Sequence, residues 1–277
     1  MKVWVGSGES GQLVDESQAT VSVFDHGYTV GEGLFETMKV VDGRVFLWTW
    51  HYARMRAAAS VIGMALPSEA ALTRAVSAVA AGNTVAGTGR LRLTVTCGNT
   101  DAADTTVVCT LTNANAPDPT AQLRTMEWPR NERSPLVGVK STSYQENVLA
   151  LQCAQQAGAS EAIFFNSQGN LSEGSVSNVF IVRDGVVVTP RRVDGLLPGV
   201  TRRFVMTLGG TDLDIVEAAI DRSALEAADE VFVTSSLRDI QPAVRIDDRA
   251  YGVGPVTSEL RRRFADAAAA DWCWLRP

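Results

Sequence analysis

The chain of 277 residues is poor in lysine, histidine and cysteine, and each scarcity closes off some chemistry. There are two histidines, His26 and His51, and four scattered cysteines (Cys97, Cys109, Cys153, Cys273) without a CxxC pair. No clustered set of zinc ligands can be assembled from them, and the thiols read as reduced and mostly buried. No apolar run approaches the ~18 residues that span a bilayer. The first residues, Met1 to Gly8, lack the apolar stretch of a signal peptide, so a cytoplasmic protein is expected. Net charge is −6, and no basic run exceeds Arg261-Arg262-Arg263. A nucleic-acid groove needs a concentrated positive footprint, which is missing. With 45% hydrophobic and 20% charged residues, the chain is also too apolar for disorder. Only Lys2, Lys39 and Lys140 carry a side-chain primary amine, so any amine chemistry has three candidates.

At roughly 150 residues per domain, the length suggests two domains. Val3–Val5 reads as a strand, as does Ala19–Val23. Phe35–Val41 alternates and ends at Asp42-Gly43, a hairpin signal. From Leu47 to Ala65 the spacing turns helical, with Met55, Ala58, Ala59 and Ile62 on one face. A second helix starts at Ser68-Glu69 and stops at Gly82-Asn83. Arg90–Cys97 and Thr105–Thr112 read as strands. Asn113–Pro119 is a linker with two prolines and no apolar periodicity. Beyond it come a strand near Leu123, a helix from Gln145 to Gly158, and strands at Ala162–Phe165, Val176–Val182 and Val186–Thr189. Pro198-Gly199 opens a further helix, Glu230–Thr234 is a strand, and Thr257–Ala268 is the last helix. Strands and helices mix without a strict βαβ rhythm. The expected class is therefore α/β in the α+β sense. The domains are expected at 1–115 and 122–277, joined by a linker at 116–121.

Gly6-x-Gly8-x-x-Gly11 formally fits a dinucleotide fingerprint, but Gln12–Glu16 looks like a returning strand rather than a helix, which favours a hairpin turn. No GxxxxGK[ST] and no GxSxG is present, and His26 reads as a structural hydrogen-bonding group. Lys140 follows the strand-like Leu136–Val139, and a desolvated amine at a strand end can become a nucleophile. An exposed edge lysine is the ordinary alternative. Glu173 lies in Asn170-Leu-Ser-Glu173-Gly-Ser-Val-Ser-Asn178, where polar residues can hold one carboxylate, or where a plain turn could expose it. Gly195-Leu-Leu-Pro198-Gly199-Val200-Thr201-Arg202 opens into a helix whose first N–H groups suit a phosphate. Thr234-Ser235-Ser236 adds hydroxyls after a strand. An amine, a carboxylate and a phosphate cradle, in that order, are what pyridoxal 5'-phosphate requires.

These residues resemble the class-IV (fold-type IV) pyridoxal-phosphate enzymes, which include branched-chain and D-amino-acid aminotransferases and 4-amino-4-deoxychorismate lyases. The likeness runs through Gly31–Thr37, His51-x-x-Arg54, Lys140–Tyr144 with Asn147, Glu161-Ala-Ile, Ser172–Asn178, Leu197–Arg202 and Ala228–Ser235. It implies a small N-terminal and a larger C-terminal domain with the cofactor in a cleft between them, and a homodimer. Lys140 would form the Schiff base and shuttle protons, and Glu173 would bond to the pyridine nitrogen. Arg54, Val200, Thr201 and Ser236 would hold the phosphate. Tyr144 would approach the phenolic oxygen, although branched-chain enzymes carry that tyrosine one position later, where this chain has Gln145. Thr37 matches a threonine of the lyases near the reacting substrate, and Arg92 and Phe35 fall at substrate positions. The loop from Gly98 to Asp104 lacks the Arg-Asn-His trap of Bacillus-type D-amino-acid transaminases. Together these residues tilt the reading toward a lyase releasing 4-aminobenzoate and pyruvate for folate biosynthesis. Transaminases of branched-chain L-amino acids, D-amino acids or amines stay open, as does a non-catalytic protein on the same fold.

Overall fold

The computed structural model describes residues 1–99 and 105–276. The chain divides into two compact units. One comprises Met1–Ala116, Val139–Ser143 and Ala270–Pro277; the other comprises Pro117–Gly138 and Tyr144–Ala269. The sequence boundaries assigned everything from 122 onward to one domain. Two short pieces, 139–143 and 270–277, instead pair with strands of the first unit.

In the first unit, β1 (Lys2–Ser7) and β2 (Ser10–Asp15) form a hairpin turning at Gly8, where φ is +55°. The glycine fingerprint is thus a β-turn, because a strand follows it. After the short helix α1 (His26–Thr29) come β3 (Gly33–Val41) and β4 (Arg44–Phe46), joined at Asp42-Gly43, both with positive φ. Helices α2 (Trp48–Ile62) and α3 (Glu69–Gly82) follow, then β5 (Thr88–Thr96) and β6 (Thr106–Asn113). The C-terminal strand Trp274–Leu275 pairs with β4. All ladders of this seven-stranded sheet are antiparallel. Alternate residues of β3, β5 and β6 (Met38, Val40, Leu91, Leu93, Cys109, Leu111) pack into one core with Met55 and Ala59 of α2 and Leu72, Val76 and Val79 of α3. Each Leu, Val or Met among them contributes about 1.5–3 kcal/mol of burial. Ser68 caps α3 by accepting from the Ala71 N–H at 3.3 Å. The expected strand at Ala19–Val23 is absent: this stretch is irregular, with Val21, Val23 and Phe24 exposed. β-branched residues alone do not make a strand where no neighbour offers a ladder.

In the second unit, β7 (Ala121–Thr125), α4 (Gln145–Gln156) and β8 (Glu161–Phe165) make a parallel pair with a helical crossover. Strands β9 (Leu171–Gly174), β10 (Asn178–Arg183), β11 (Val186–Thr189), β12 (Ile215–Glu217), β13 (Glu230–Ser235), β14 (Asp239–Ile246) and β15 (Arg249–Ala250) complete a mixed nine-stranded sheet, with α5 (Val200–Met206), α6 (Arg222–Glu226) and α7 (Pro255–Ala268). Strand β8 is buried on both faces. Ile163 and Phe165 enter one core with Leu123, Val179 and Val231, while Ala162 and Phe164 enter another with Ala150 and Ala154 of α4. Helix α7 starts at Pro255, and the buried Glu230 accepts from Val256 and Thr257 N–H at 3.0 and 2.7 Å, which caps its positive end. No helix among the described residues is long and apolar enough to cross a membrane.

Candidate active site

Lys140 is not preceded by a strand. Residues 134–138 turn, with Gly138 at φ +78°, and the apolar stretch that reads as a strand is broken by that left-handed residue and by Pro135. Residues 140–142 instead fill the edge of β3 that the three-residue β4 cannot reach. The Phe35 N–H donates to the Lys140 carbonyl at 3.0 Å, and the Thr142 N–H donates to the Gly33 carbonyl at 2.8 Å. Thr142 and Ser143 hydroxyls both donate to the Gly31 carbonyl, at 2.7 and 3.0 Å. The backbone of Lys140 is therefore fixed while its side chain stays half-buried.

That side chain meets the odd-numbered face of β3. The Lys140 Nζ lies 4.4 Å from the centre of the Phe35 ring, and the Arg92 guanidinium lies 3.9 Å from it. An aromatic face attracts a cation, so Phe35 is a platform for two positive groups. Thr37 follows Phe35 on the same face, half-buried, directly opposite Arg92 of β5. Arg92 also donates through Nε to the Thr94 hydroxyl at 3.3 Å. Of the residues named from the sequence, Lys140 and Arg92 both stand over the Phe35 ring, and Thr37 lies opposite Arg92.

The even-numbered face of β3 carries a group that the sequence motifs contained but to which no role was given. Glu36 is 1% exposed and lies against α2. It accepts from His51 Nδ1 at 2.6 Å, from Arg54 Nε at 2.8 Å and from Arg54 Nη2. His51 and Arg54 are three residues apart on the helix and so share a face. Burial alone would raise the Glu36 carboxyl, but Arg54 and His51 outweigh it and hold it at about 2. Burial pushes the His51 imidazole down; Glu36 opposes this, and Arg54 and Lys140 reinforce it. His51 is thus a neutral ring oriented by a carboxylate, and Arg54 is held by two of its nitrogens.

In the second unit, Glu173 ends β9 and is buried rather than exposed on a turn. One oxygen accepts from the Leu197 N–H at 2.8 Å, and the other lies 3.6 Å from Arg130. The Asn178 amide donates to the Leu197 carbonyl at 2.9 Å. The Leu197-Pro198-Gly199 turn is therefore clamped by the very carboxylate and amide that flank the Gly174–Ser177 loop. A Cβ on Gly199 would collide with the side-chain Oδ1 of Asn178, so the glycine permits a close approach. Gly199 then caps α5 without a side-chain acceptor, leaving the first N–H groups, at Val200 and Thr201, without a side-chain cap. Ser236 sits half-buried in the turn after β13.

Tyr144 donates its hydroxyl to the Ser175 carbonyl at 2.9 Å, and Asn147 donates to the same oxygen at 2.6 Å. Burial, with the negative charges of Glu173 and Glu161, pushes the phenol well above its ordinary value, so it stays protonated. Arg130, which carried no sequence signal, stacks 4.1 Å over the Phe164 ring and donates to Glu146 at 2.7 Å. His26 pairs with Glu32 at 2.7 Å and serves structure, as expected. Of the loop from Gly98 to Asp104, where the anion trap is expected to be missing, residues 100–104 lie outside the described residues.

The first unit carries a half-buried amine, and the second carries a buried carboxylate held by backbone and a helix start without a side-chain cap; by chemical type these are the groups that a phosphorylated pyridine aldehyde requires. The family model for amino-transferase class IV matches residues 33–246. A putative branched-chain-amino-acid aminotransferase of Methanocaldococcus jannaschii is 32% identical over 96% of both chains. An aminodeoxychorismate lyase of Bacillus subtilis is 29% identical over 91% of both. Among solved structures, a branched-chain aminotransferase from Thermoproteus uzoniensis with norvaline superposes with a TM-score of 0.87 at 28% identity, covering 97% of this chain and 94% of that one. The chain belongs to the class-IV aminotransferase family and is a pyridoxal-phosphate-dependent transaminase or lyase with the fold-type IV architecture.

Proposed function

We propose that this chain is a lyase that converts 4-amino-4-deoxychorismate to 4-aminobenzoate and pyruvate. The observation that carries this reading is that the Lys140 amine and the Arg92 guanidinium both stand over the Phe35 ring, with Thr37 on the same strand face directly opposite Arg92. In this reading Lys140 would hold the cofactor aldehyde, and Glu173 would accept a hydrogen bond from its pyridine nitrogen. Arg54, the Val200 and Thr201 N–H groups, the Thr201 hydroxyl and Ser236 hold the phosphate, and Tyr144 stands by as a neutral phenol. Pyridoxal phosphate supplies a cationic ring that stabilises charge on the carbon bearing the substrate amine.

The Lys140 amine would remove the proton from that carbon. The carbon–oxygen bond at the neighbouring ring position then breaks, enolpyruvate departs and takes up a proton to become pyruvate, and the ring becomes aromatic. Thr37 is placed to hydrogen-bond the departing oxygen, and Arg92 to bind a substrate carboxylate. Purified protein given aminodeoxychorismate should form 4-aminobenzoate and pyruvate in equal amounts. Absence of both, with conversion of the bound cofactor to its amine form by an amino acid, would sink the lyase reading.

The second reading is a transaminase of branched-chain L-amino acids, D-amino acids or amines. The likeness to the branched-chain relatives favours it, and Arg92 suits an amino-acid carboxylate equally well.

A further inference from the structure

Glu161 is the deepest carboxylate of the second unit, with 0% exposure at the start of the fully buried strand β8, which lies beside the edge strand β9. A buried carboxylate is costly unless its oxygens are satisfied. Here one oxygen accepts from the Val176 N–H and the Ser177 hydroxyl, both at 2.8 Å, and the other is paired with the guanidinium of Arg238. The partners lie on two different loops. Val176 and Ser177 belong to the loop that follows Glu173, whereas Arg238 closes the turn 236–238, which begins with Ser236. Gly174 records how tightly the carboxylate is seated, since a Cβ there would stand 2.5 Å from Glu161 Oε1. The same loop is held from its other side by Tyr144 and Asn147 at the Ser175 carbonyl.

We propose that Glu161 and Arg238 are a pair of positioning residues that lock the Glu173 loop to the Ser236 turn, so that the ring-nitrogen partner and a phosphate ligand keep a fixed spacing. This rests on the assignment of Glu173 and Ser236 above. Neither Glu161 nor Arg238 touches the cofactor in this scheme. Their contribution is that a phosphate group and a pyridine nitrogen belong to one rigid molecule and must be met at one distance. A turn free to drift would lose the phosphate contact first, because Ser236 has only the short turn to hold it.

The test compares apoprotein affinities for pyridoxal phosphate and for pyridoxal, read by quenching of tryptophan fluorescence. The ratio of the two isolates the grip on phosphate. Arg238→Met alone strands a buried charge and threatens folding. Glu161→Gln with Arg238→Met removes both charges, keeps the amide oxygen for Val176 and Ser177, and cuts only the link to the turn. The double variant should lose about tenfold in phosphate preference, a size usual for coupled neighbours. Ser236→Ala should lose a similar factor, and the triple variant should lose no more than the larger of the two. Equal weakening of both ligands, or losses that add in full, would overturn the coupling and leave the pair merely structural. An unchanged preference in Ser236→Ala would instead overturn the phosphate assignment, and the coupling with it.

Discussion

Two clusters around buried carboxylates, one in each unit, are held differently. In the first, Glu36 is satisfied by side chains alone: His51 and Arg54 come from one helix face, 15 and 18 residues along the chain. In the second, Glu173 and Glu161 are satisfied partly by backbone N–H groups of loops, and Arg238 reaches Glu161 across 77 residues. A side-chain cluster on a helix and a strand moves as a unit with those elements. A carboxylate tied to loop backbone makes the loop itself part of the site. The first arrangement builds a rigid wall between β3 and α2; the second fixes the path of the loop backbone itself.

The largest expected effect breaks the first unit's contribution outright. Lys140→Ala should lower turnover by at least ~10⁴-fold and abolish borohydride fixation of the cofactor, while leaving the thermal midpoint nearly unchanged, because the lost group serves chemistry rather than packing. Fixation persisting at another lysine would transfer the role. The matching change in the second unit, Glu173→Gln, should cost roughly 10²-fold in rate, since a neutral amide no longer favours a protonated pyridine nitrogen. It should also loosen the Leu197 turn, seen as faster amide exchange at Leu197. Rates equal to the parent would remove Glu173 from its place.

Thr37→Val sharpens the choice of reaction. The swap keeps the branched shape on β3 and deletes the hydroxyl, so 4-aminobenzoate formation should fall about 10-fold to 100-fold with cofactor affinity unchanged. An unaltered rate would return Thr37 to the ordinary role of a β-branched strand residue.

The smallest effect concerns acid stability of the wall. The folded His51 value lies below its ordinary value, so below about pH 6.5 the unfolded chain binds a proton that the folded chain does not. Stability contributed by neutral His51 is therefore present above that pH and declines as pH falls. Glu36, held at about 2, adds a second loss between its ordinary value of about 4.5 and about 2. His51→Gln, which can still donate to Glu36, should flatten the dependence of urea midpoint on pH between 7 and 5. The slope below pH 4.5 should persist. An identical profile in both proteins would show that another group titrates there.

Much of this was legible in the chain. The hairpin at Asp42-Gly43, the helix capped by Ser68 and the Lys140, Glu173 and Leu-Pro-Gly-x-Thr-Arg motifs rest on local rules: turn residues, caps and periodicity act within a few positions. Strand β14 and the docking of the C-terminal strand on β4 were not legible, because a strand at a sheet's interior or edge is decided by the partner it finds. The expected strand before Lys140 failed for the converse reason, since an apolar run does not reveal that one of its glycines adopts φ +78°. Glu36 was spelled out in the Gly31–Thr37 stretch, and a search for a carboxylate to satisfy two basic residues on one helix face, His51 and Arg54, would have found it.

The sequence by itself determined the family and the order of its reactive groups, since so few lysines leave little freedom over which amine can serve. Tertiary structure alone decided which carboxylates are buried and which partners hold them. Desolvation and hydrogen bonding depend on what surrounds an atom in space, and Glu161 meets Arg238 only after the sheet has assembled.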